Sequence, residues 1–476
     1  MVCLIKKHGK GELSKLNSII PAVKSWRTSG DDPLISEIVE WVAEKNATLN
    51  VKIEKNSLSD SNFWFYDEER GEIRNKNNSF FQIRGLQQYY DGKLVLEQPV
   101  IIQNEIGYLG MICKEIDGVL QFLVQAKIEP GNVNKIQLSP TIQATKSNFT
   151  QKHGGKKPPY LDYFLKAKPE NILVDQIQSE QSSRFLGKRN RNIIIMVDED
   201  IEILPSHRWM TLGTIKRLMK IDNLVNMDTR TVLSCIPWSL LPVHESEKSQ
   251  AEMMFDDKAL FQSIFRQPSH ADIVRVFRYI NNFKMLNSCE NKIVPIKELS
   301  SWKFTDRGIT HKTGYQFNVV FCDIEIEGRE VTHWSQPLFE AVGMATFGLI
   351  TAEFDGILKF LVQARPEAGC FDSIELAPTV QLEAGIPESS FTEIDRLFFR
   401  LLENSAEIRN NVVLSEEGGR FYHEQNRNIV LRVGADQITG LPDGYFWLDY
   451  ATLNEMVQFN NVLNIQLRNL LSLMEM

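Results

Sequence analysis

The chain has 476 residues, 43% of them apolar and 24% charged, with a net charge of −8. That length exceeds one ordinary core, so two or more domains are expected, and the composition excludes a disordered or fibrous chain. The acidic balance argues against a nucleic-acid partner, which would have to meet a local basic patch. In chain order, the opening stretch MVCLIKKHGKGELSK holds no apolar segment long enough for a signal peptide. Apolar residues at helical spacing predict a helix over 35–44. Strands follow over 80–83, 94–96, 101–102 and 111–113, with Asp91-Gly92 and Asp117-Gly118 as turns between strands. The strongest strand covers 120–129, a further one lies at 192–197, and helices close the segment at 212–219 and 227–234. A second helix at 271–282 begins the same order again, and helix, antiparallel strands, then helices is α+β.

That recurrence is a duplication. FLVQAKIEPG from Phe122 returns as FLVQARPEAG from Phe360, and between 118–143 and 356–381 14 of 26 positions are identical without a gap. Trp64 answers Trp302, Gly110 answers Gly348, SEQSSRFLGKRNRNI from Ser179 answers SEEGGRFYHEQNRNI from Ser415, and Arg230 answers Arg468. The spacing is half the chain and far too long for a solenoid unit, so two complete domains, 1–242 and 243–476, are expected. The six cysteines form no C-x-x-C pair and no zinc-ligand spacing, which suggests reduced thiols. No run approaches a membrane span. A cytoplasmic protein with small-molecule or protein partners is expected.

Alternation along the repeated strand places Phe122, Val124, Ala126 and Ile128 in the core and Leu123, Gln125, Lys127 and Glu129 on the opposite face. The second copy sets Gln363, Arg365 and Glu367 in the same row. A solvated face with an ion pair explains such a row, but survival of glutamine, base and acid in both copies favours a pocket wall. Thr141, Gln143 and Thr145 continue the polar alternation. Next, SNFTQKHGGKKPPYLDYF brings His153, Gly154, Gly155 and flanking lysines, able to approach phosphate, ahead of Tyr160. The second copy has EAGIPESSFTEIDRLFF there, without the histidine, the glycine pair or the lysines. Arg184/Arg420 and Arg191/Arg427 are kept, and the arginine fork suits carboxylate or diphosphate. No phosphate-binding loop, dinucleotide fingerprint, nucleophile elbow or zincin motif is present, and the eight histidines show no ligand spacing.

FLVQAKIEPGNVNKIQLSPTIQATKSNFTQKHGGKKPPYLDYF, followed by QSEQSSRFLGKRNRN, resembles the NDP-hexose 2,3-dehydratases of deoxysugar biosynthesis, themselves tandem duplications. The resemblance implies two modules similar to the Nudix hydrolase fold, each a mixed sheet flanked by helices, in a homodimer. The Nudix catalytic box is missing, so neither pyrophosphate hydrolysis nor its magnesium is implied. The implied substrate is dTDP-4-keto-6-deoxy-D-glucose, which loses water across C2 and C3 without a nicotinamide or other cofactor. A 3-ketoreductase would take the unstable diketo product. Lys127, Glu129, His153 and Tyr160 are then the catalytic candidates, with Lys127 polarising the C4 carbonyl and Glu129 or His153 moving protons. Gln125 is a further donor. Thr141, Gln143, Thr145, Gly154 and Gly155 are expected against the substrate, Arg184, Lys188 and Arg191 on the diphosphate, and Trp64, Tyr160 or Trp302 stacked on thymine. Gln363, Arg365, Glu367, Arg420, Tyr422 and Arg427 would line a second, degenerate pocket, since arginine at 365 is no proton donor at working pH. A non-catalytic nucleotide-sugar binder is the alternative.

Overall fold

Two mixed seven-stranded sheets, one per copy, carry the repeated stretch. The computed structural model describes residues 16–146, 157–241, 244–327, 331–404 and 406–476. In the first sheet the order is Ile172–Ser179, Arg189–Met196, Tyr108–Ile116, Val119–Ile128, His207–Thr211, with Ile136–Ser139 and Ile142–Ala144 added on Val119–Ile128 and Tyr108–Ile116. The second sheet repeats this as Glu407–Ser415, Gln425–Val433, Ala345–Phe354, Ile357–Pro366, Tyr445–Asp449, with Ile374–Pro378 and Val380–Leu382 added. Each sheet has one parallel pair, Tyr108–Ile116 with Arg189–Met196 and Ala345–Phe354 with Gln425–Val433. The α+β reading holds. Asp117 and Gly118 turn the chain into Val119–Ile128 with φ of 52° and 74°, as a two-residue hairpin between twisted strands requires.

Phe122, Val124, Ala126 and Ile128 enter a large core that also holds Phe360, Val362 and Ala364, so the two sheets turn their aliphatic faces into one shared interior. Leu123 departs from the expected polar row. It packs with Ile112, Ile142, Leu161 and Phe164 beneath the short helix Leu161–Leu165. The opposite face is therefore broken by an apolar Leu123 between Gln121 and Gln125.

Two smaller sheets hold the copies together by exchange. Val51–Asn56 of the first copy pairs antiparallel with Phe317–Ile326 of the second, from Val51↔Ile326 to Asn56↔Phe321. Cys289–Val294 of the second pairs with Gln82–Tyr90 of the first, from Cys289↔Tyr90 to Val294↔Gly85. The expected strands 94–96 and 101–102 are one strand, Lys93–Ile102. Its interior Glu97 looks like a break in sequence, but it accepts bonds from Ser300 Oγ at 2.6 Å and Ser300 N at 3.1 Å in the other copy. Trp64 and Trp302 are each 4% exposed, in an aromatic core with Phe81, Phe185, Phe317, Phe339 and Phe421. Neither offers a face to a base, because aromatic bulk was the cheapest filling for the exchanged-sheet interior.

Candidate functional site

The repeated stretch ends in glycine for a reason outside its own copy. A β-carbon on Gly131 would lie on the carbonyl oxygen of Phe421, and one on Gly369 would lie on that of Phe185. Gly131 N donates to Gly418 O at 2.7 Å, and His423 N donates to Gly131 O at 2.8 Å. Gly187 N donates to Gly369 O at 2.8 Å in the related contact. Each polar strand end thus docks on the SEQSSR/SEEGGR turn of the other copy. Arginines lock the same crossing: Arg230 Nη2 donates to Ser415 O at 2.7 Å and Arg468 Nη2 to Ser179 O at 2.6 Å.

The first composite site gathers Lys127, Glu129 and Gln143 from the first sheet with Glu417 and Arg420 from the second copy. Lys127 Nζ lies 3.0 Å from Glu129 Oε1, and Gln143 Nε2 donates to that oxygen at 2.8 Å. Glu129 is 4% exposed, and its Oε2 has no hydrogen-bond partner among the described residues. Glu417 and Glu129 each bring Oε1 within 4 Å of the place a Gly419 β-carbon would occupy. Burial pushes the Glu417 carboxyl up; Arg420 opposes the shift and the Glu129 charge adds to it. Asp228 is driven far up by burial and by the facing Glu417, Glu180 and Glu129. Lys188 donates to Asn190 Oδ1 at 2.8 Å and to Glu105 O, and burial lowers its pKa. The Arg420 guanidinium lies 4.5 Å over Phe81 and bonds Gln103 Oε1 at 3.2 Å and Gly419 O at 2.7 Å. Arg420 faces the charges of Glu417, Glu129 and Glu105 without a short ion pair to any of them among the described residues.

The counterpart site has the same frame, but its arginine is paired at short range. Gln381 Nε2 donates to Glu367 Oε1 at 3.0 Å, and Arg184 stands over Phe317 at 4.3 Å as Arg420 does over Phe81. Glu383 occupies the place of Thr145, and Glu424 that of Lys188. They lie 3.1 Å and 3.7 Å from Arg184 Nη2, so that cation is already neutralised. Burial raises the carboxyls of Glu367 and Glu424.

Several sequence expectations change. Arg184 belongs to the counterpart site and Arg420 to the first, the reverse of the expected assignment, because each turn crosses to the other copy. Arg191 is held away by a two-pronged pair with Asp175, both bonds 2.6 Å, and Arg427 bonds Asn411 Oδ1 at 2.9 Å. Tyr422 stacks on His423 at 4.1 Å beneath Lys55 and does not meet Arg365. Gln363 spends its Nε2 on the carbonyls of Pro378 and Thr379 at 3.0 Å and 3.2 Å. Thr141 Oγ1 is consumed in the sheet, donating to Leu123 O and accepting from Ile112 N at 2.9 Å. Tyr160 donates to Glu202 O at 2.8 Å and accepts from Leu204 N at 3.0 Å, so its hydroxyl proton is committed to backbone. Gln125, in the row before Lys127, and Thr145 are both half-buried. His153, Gly154 and Gly155 lie outside the described residues. Glu417 and Asn226 were missed; the signals were a Glu in SEEGGR where the first copy has Gln181, and the shared Asn226-x-x-x-Arg230 and Asn464-x-x-x-Arg468 spacing.

An open groove of about 420 Å³ lies between Lys114–Asp117 and Asp200–Trp209, where the one lysine, Lys114, is already paired with Asp200 at 2.5 Å. No group of three or more His, Cys, Asp or Glu among the described residues is placed to hold a metal ion. No described helix is long and apolar enough to cross a membrane.

The His207 ring carries a testable pH dependence. It is 2% exposed, bonds Thr141 O through Nε2 at 3.2 Å, and burial lowers its pKa from 6.5 to about 4. The unfolded chain therefore binds the extra proton first. This contribution is complete above pH 6.5 and is lost as pH falls toward 4, by roughly 3 kcal/mol in all. Denaturant melts from pH 7 to 4 should show that loss, and His207→Gln should flatten it.

The family model for NDP-hexose 2,3-dehydratases matches residues 35–236 and again 274–474. A dTDP-4-dehydro-6-deoxy-alpha-D-glucopyranose 2,3-dehydratase of Saccharopolyspora spinosa is 37% identical over 440 residues, covering 91% of this chain and 89% of the relative. Enzymes with the same description from Streptomyces violaceoruber and Amycolatopsis orientalis are 36% and 34% identical, covering 91% and 95% of this chain and 95% and 92% of their own lengths.

Proposed function

The chain belongs to the NDP-hexose 2,3-dehydratase family, and from that membership we propose that it dehydrates dTDP-4-keto-6-deoxy-D-glucose at the composite site of Lys127, Glu129, Glu417, Arg420 and Lys188. The observation that carries the site assignment is the charge contrast. Lys127, Lys188 and Arg420 meet at one site, where Arg420 bonds Gln103 and Gly419 and feels Glu417, Glu129 and Glu105 only at longer range. Its counterpart Arg184 is answered by Glu383 and Glu424. A diphosphate is drawn to the first and finds its cation occupied at the second.

The chemistry follows from the side chains. Glu129 takes the C3 hydrogen as a proton, and the C–H pair forms the C3=C4 enolate. Lys127, held against Glu129 Oε1, has further N–H donors for O4, where that charge develops. The pair then restores C4=O and forms C2=C3 as the C2–O bond breaks. Glu417, its carboxyl pushed by burial toward the protonated form, gives the departing oxygen its proton, and water leaves. The C3 enol takes a proton at C2 to give the 3,4-diketo sugar. No electron is gained or lost overall.

The division into 1–242 and 243–476, each module Nudix-hydrolase-like, is part of the same proposal. It is supported by one mixed sheet per module and by the split family match. A homodimer, a cytoplasmic location and a 3-ketoreductase that removes the product belong to the same proposal.

The test is incubation with dTDP-4-keto-6-deoxyglucose, a 3-ketoreductase and NADPH, read by mass spectrometry. Loss of one water supports the reading; binding without water loss favours a nucleotide-sugar-binding protein. Thr145→Glu copies Glu383 into the first site. It should raise KM by about 30-fold, with kcat changed far less, by neutralising Arg420.

A further inference from the structure

We infer that Gln143 and Asn226 form a positioning relay that presents one oxygen of Glu129 to the sugar. The inference rests on the reading that Glu129 removes the C3 proton. Asn226 is the N-cap of helix Met227–Ser234, its Oδ1 accepting from Thr229 N at 2.8 Å. With that oxygen fixed, Nδ2 points to Ser139 Oγ at 2.9 Å and Gln143 Oε1 at 3.4 Å. The Gln143 amide has only one orientation left, and its Nε2 meets Glu129 Oε1. Lys127 binds that same oxygen. One carboxylate oxygen therefore holds two donors, while buried Oε2 holds none among the described residues.

A carboxylate has two basic oxygens, and a base that rotates between them wastes its alignment. Donors fixed on Oε1 stop that rotation. Facing Glu129 are Lys127 on its own strand, Asp228 on the capped helix, and Glu417 and Arg420 on the opposite turn. Gln143 is the neutral group that orders the carboxylate without adding charge. The relay is duplicated: Asn464 Nδ2 donates to Gln381 Oε1 at 2.9 Å, and Gln381 continues to Glu367. The second copy thus keeps the aiming device while Arg184 is paired off.

Gln143→Leu removes the donor. The expected result is a kcat lower by about 30-fold with KM within about twofold, and C3 deuterium uptake from deuterated water slowed by the same factor, because proton abstraction is the step that loses its alignment. Asn226→Asp keeps the cap on Thr229 and loses the donor to Gln143, so it should slow C3 exchange and kcat by about fivefold. Should Gln143→Leu not fold, Asn226→Asp carries the test. Gln381→Leu should leave both rates unmoved. Parental C3 exchange in both first-site variants, with Glu129→Gln inactive, overturns the relay and leaves the Glu129 reading standing. An active Glu129→Gln overturns both.

Discussion

Glu129→Gln is expected to lower kcat for dehydration by about a thousandfold, whereas Glu367→Gln should leave turnover within about threefold. The amide fits the same volume and still accepts from Lys127 and Gln143, so the loss is of basicity and not of packing. The expected thermal midpoint stays within a few degrees of the parent. The asymmetry comes from neighbours and not from the strand. Glu367 has the same glutamine donor at 3.0 Å, but in its site Arg184 is paired with Glu383 and Glu424, which on the proposed reading leaves no free cation for the diphosphate. Paired assays of the two variants decide it: a dead Glu367→Gln with a fully active Glu129→Gln reverses the assignment.

Gly131→Ala is expected to cost about 3 kcal/mol of stability, seen as a lower denaturant midpoint, and to depress turnover as well. The new methyl meets the backbone carbonyl of Phe421, which has no rotamer to yield with. Relief requires pulling the strand end away from the turn that bears Glu417 and Arg420, and the proton donor and guanidinium retreat together. Gly369→Ala faces the Phe185 carbonyl and should cost similar stability while leaving kcat nearly intact. Equal kinetic damage from both would mean that both docking contacts serve catalysis.

The contrast between these glycines shows what was legible in the sequence. The strand at 120–129, its turn at Asp117-Gly118 and its aliphatic face follow from periodicity two and turn chemistry, and the observed strand is Val119–Ile128. The duplication fixed which residues are equivalent. It could not say which partner each one meets. Exchanging Val51–Asn56 with Cys289–Val294 leaves every local pattern unchanged, because both copies offer the same receiving edge. For the same reason Arg184 reads as the neighbour of Lys127, although the folded chain gives that place to Arg420. Leu123 was misplaced because alternation names a face and not what covers it; the helix at Leu161–Leu165 supplies a second small core there. Tyr160 and Thr141 carry the right chemistry for a site, but backbone partners at Leu204 and Ile112 claim them, and such partners are invisible until the strands are paired. Lys127 and Glu129, two residues apart on one strand, were found because their contact is local.

The composite nature of the site is tested most directly by Glu417→Gln in deuterated water, following C3 exchange and water loss in dTDP-4-keto-6-deoxyglucose together. With Glu129 and Lys127 intact, C3 should still take up deuterium, while loss of the C2 oxygen falls by at least about a hundredfold for want of the second copy's proton donor. Water loss at the parental rate would contradict a site shared between the two copies.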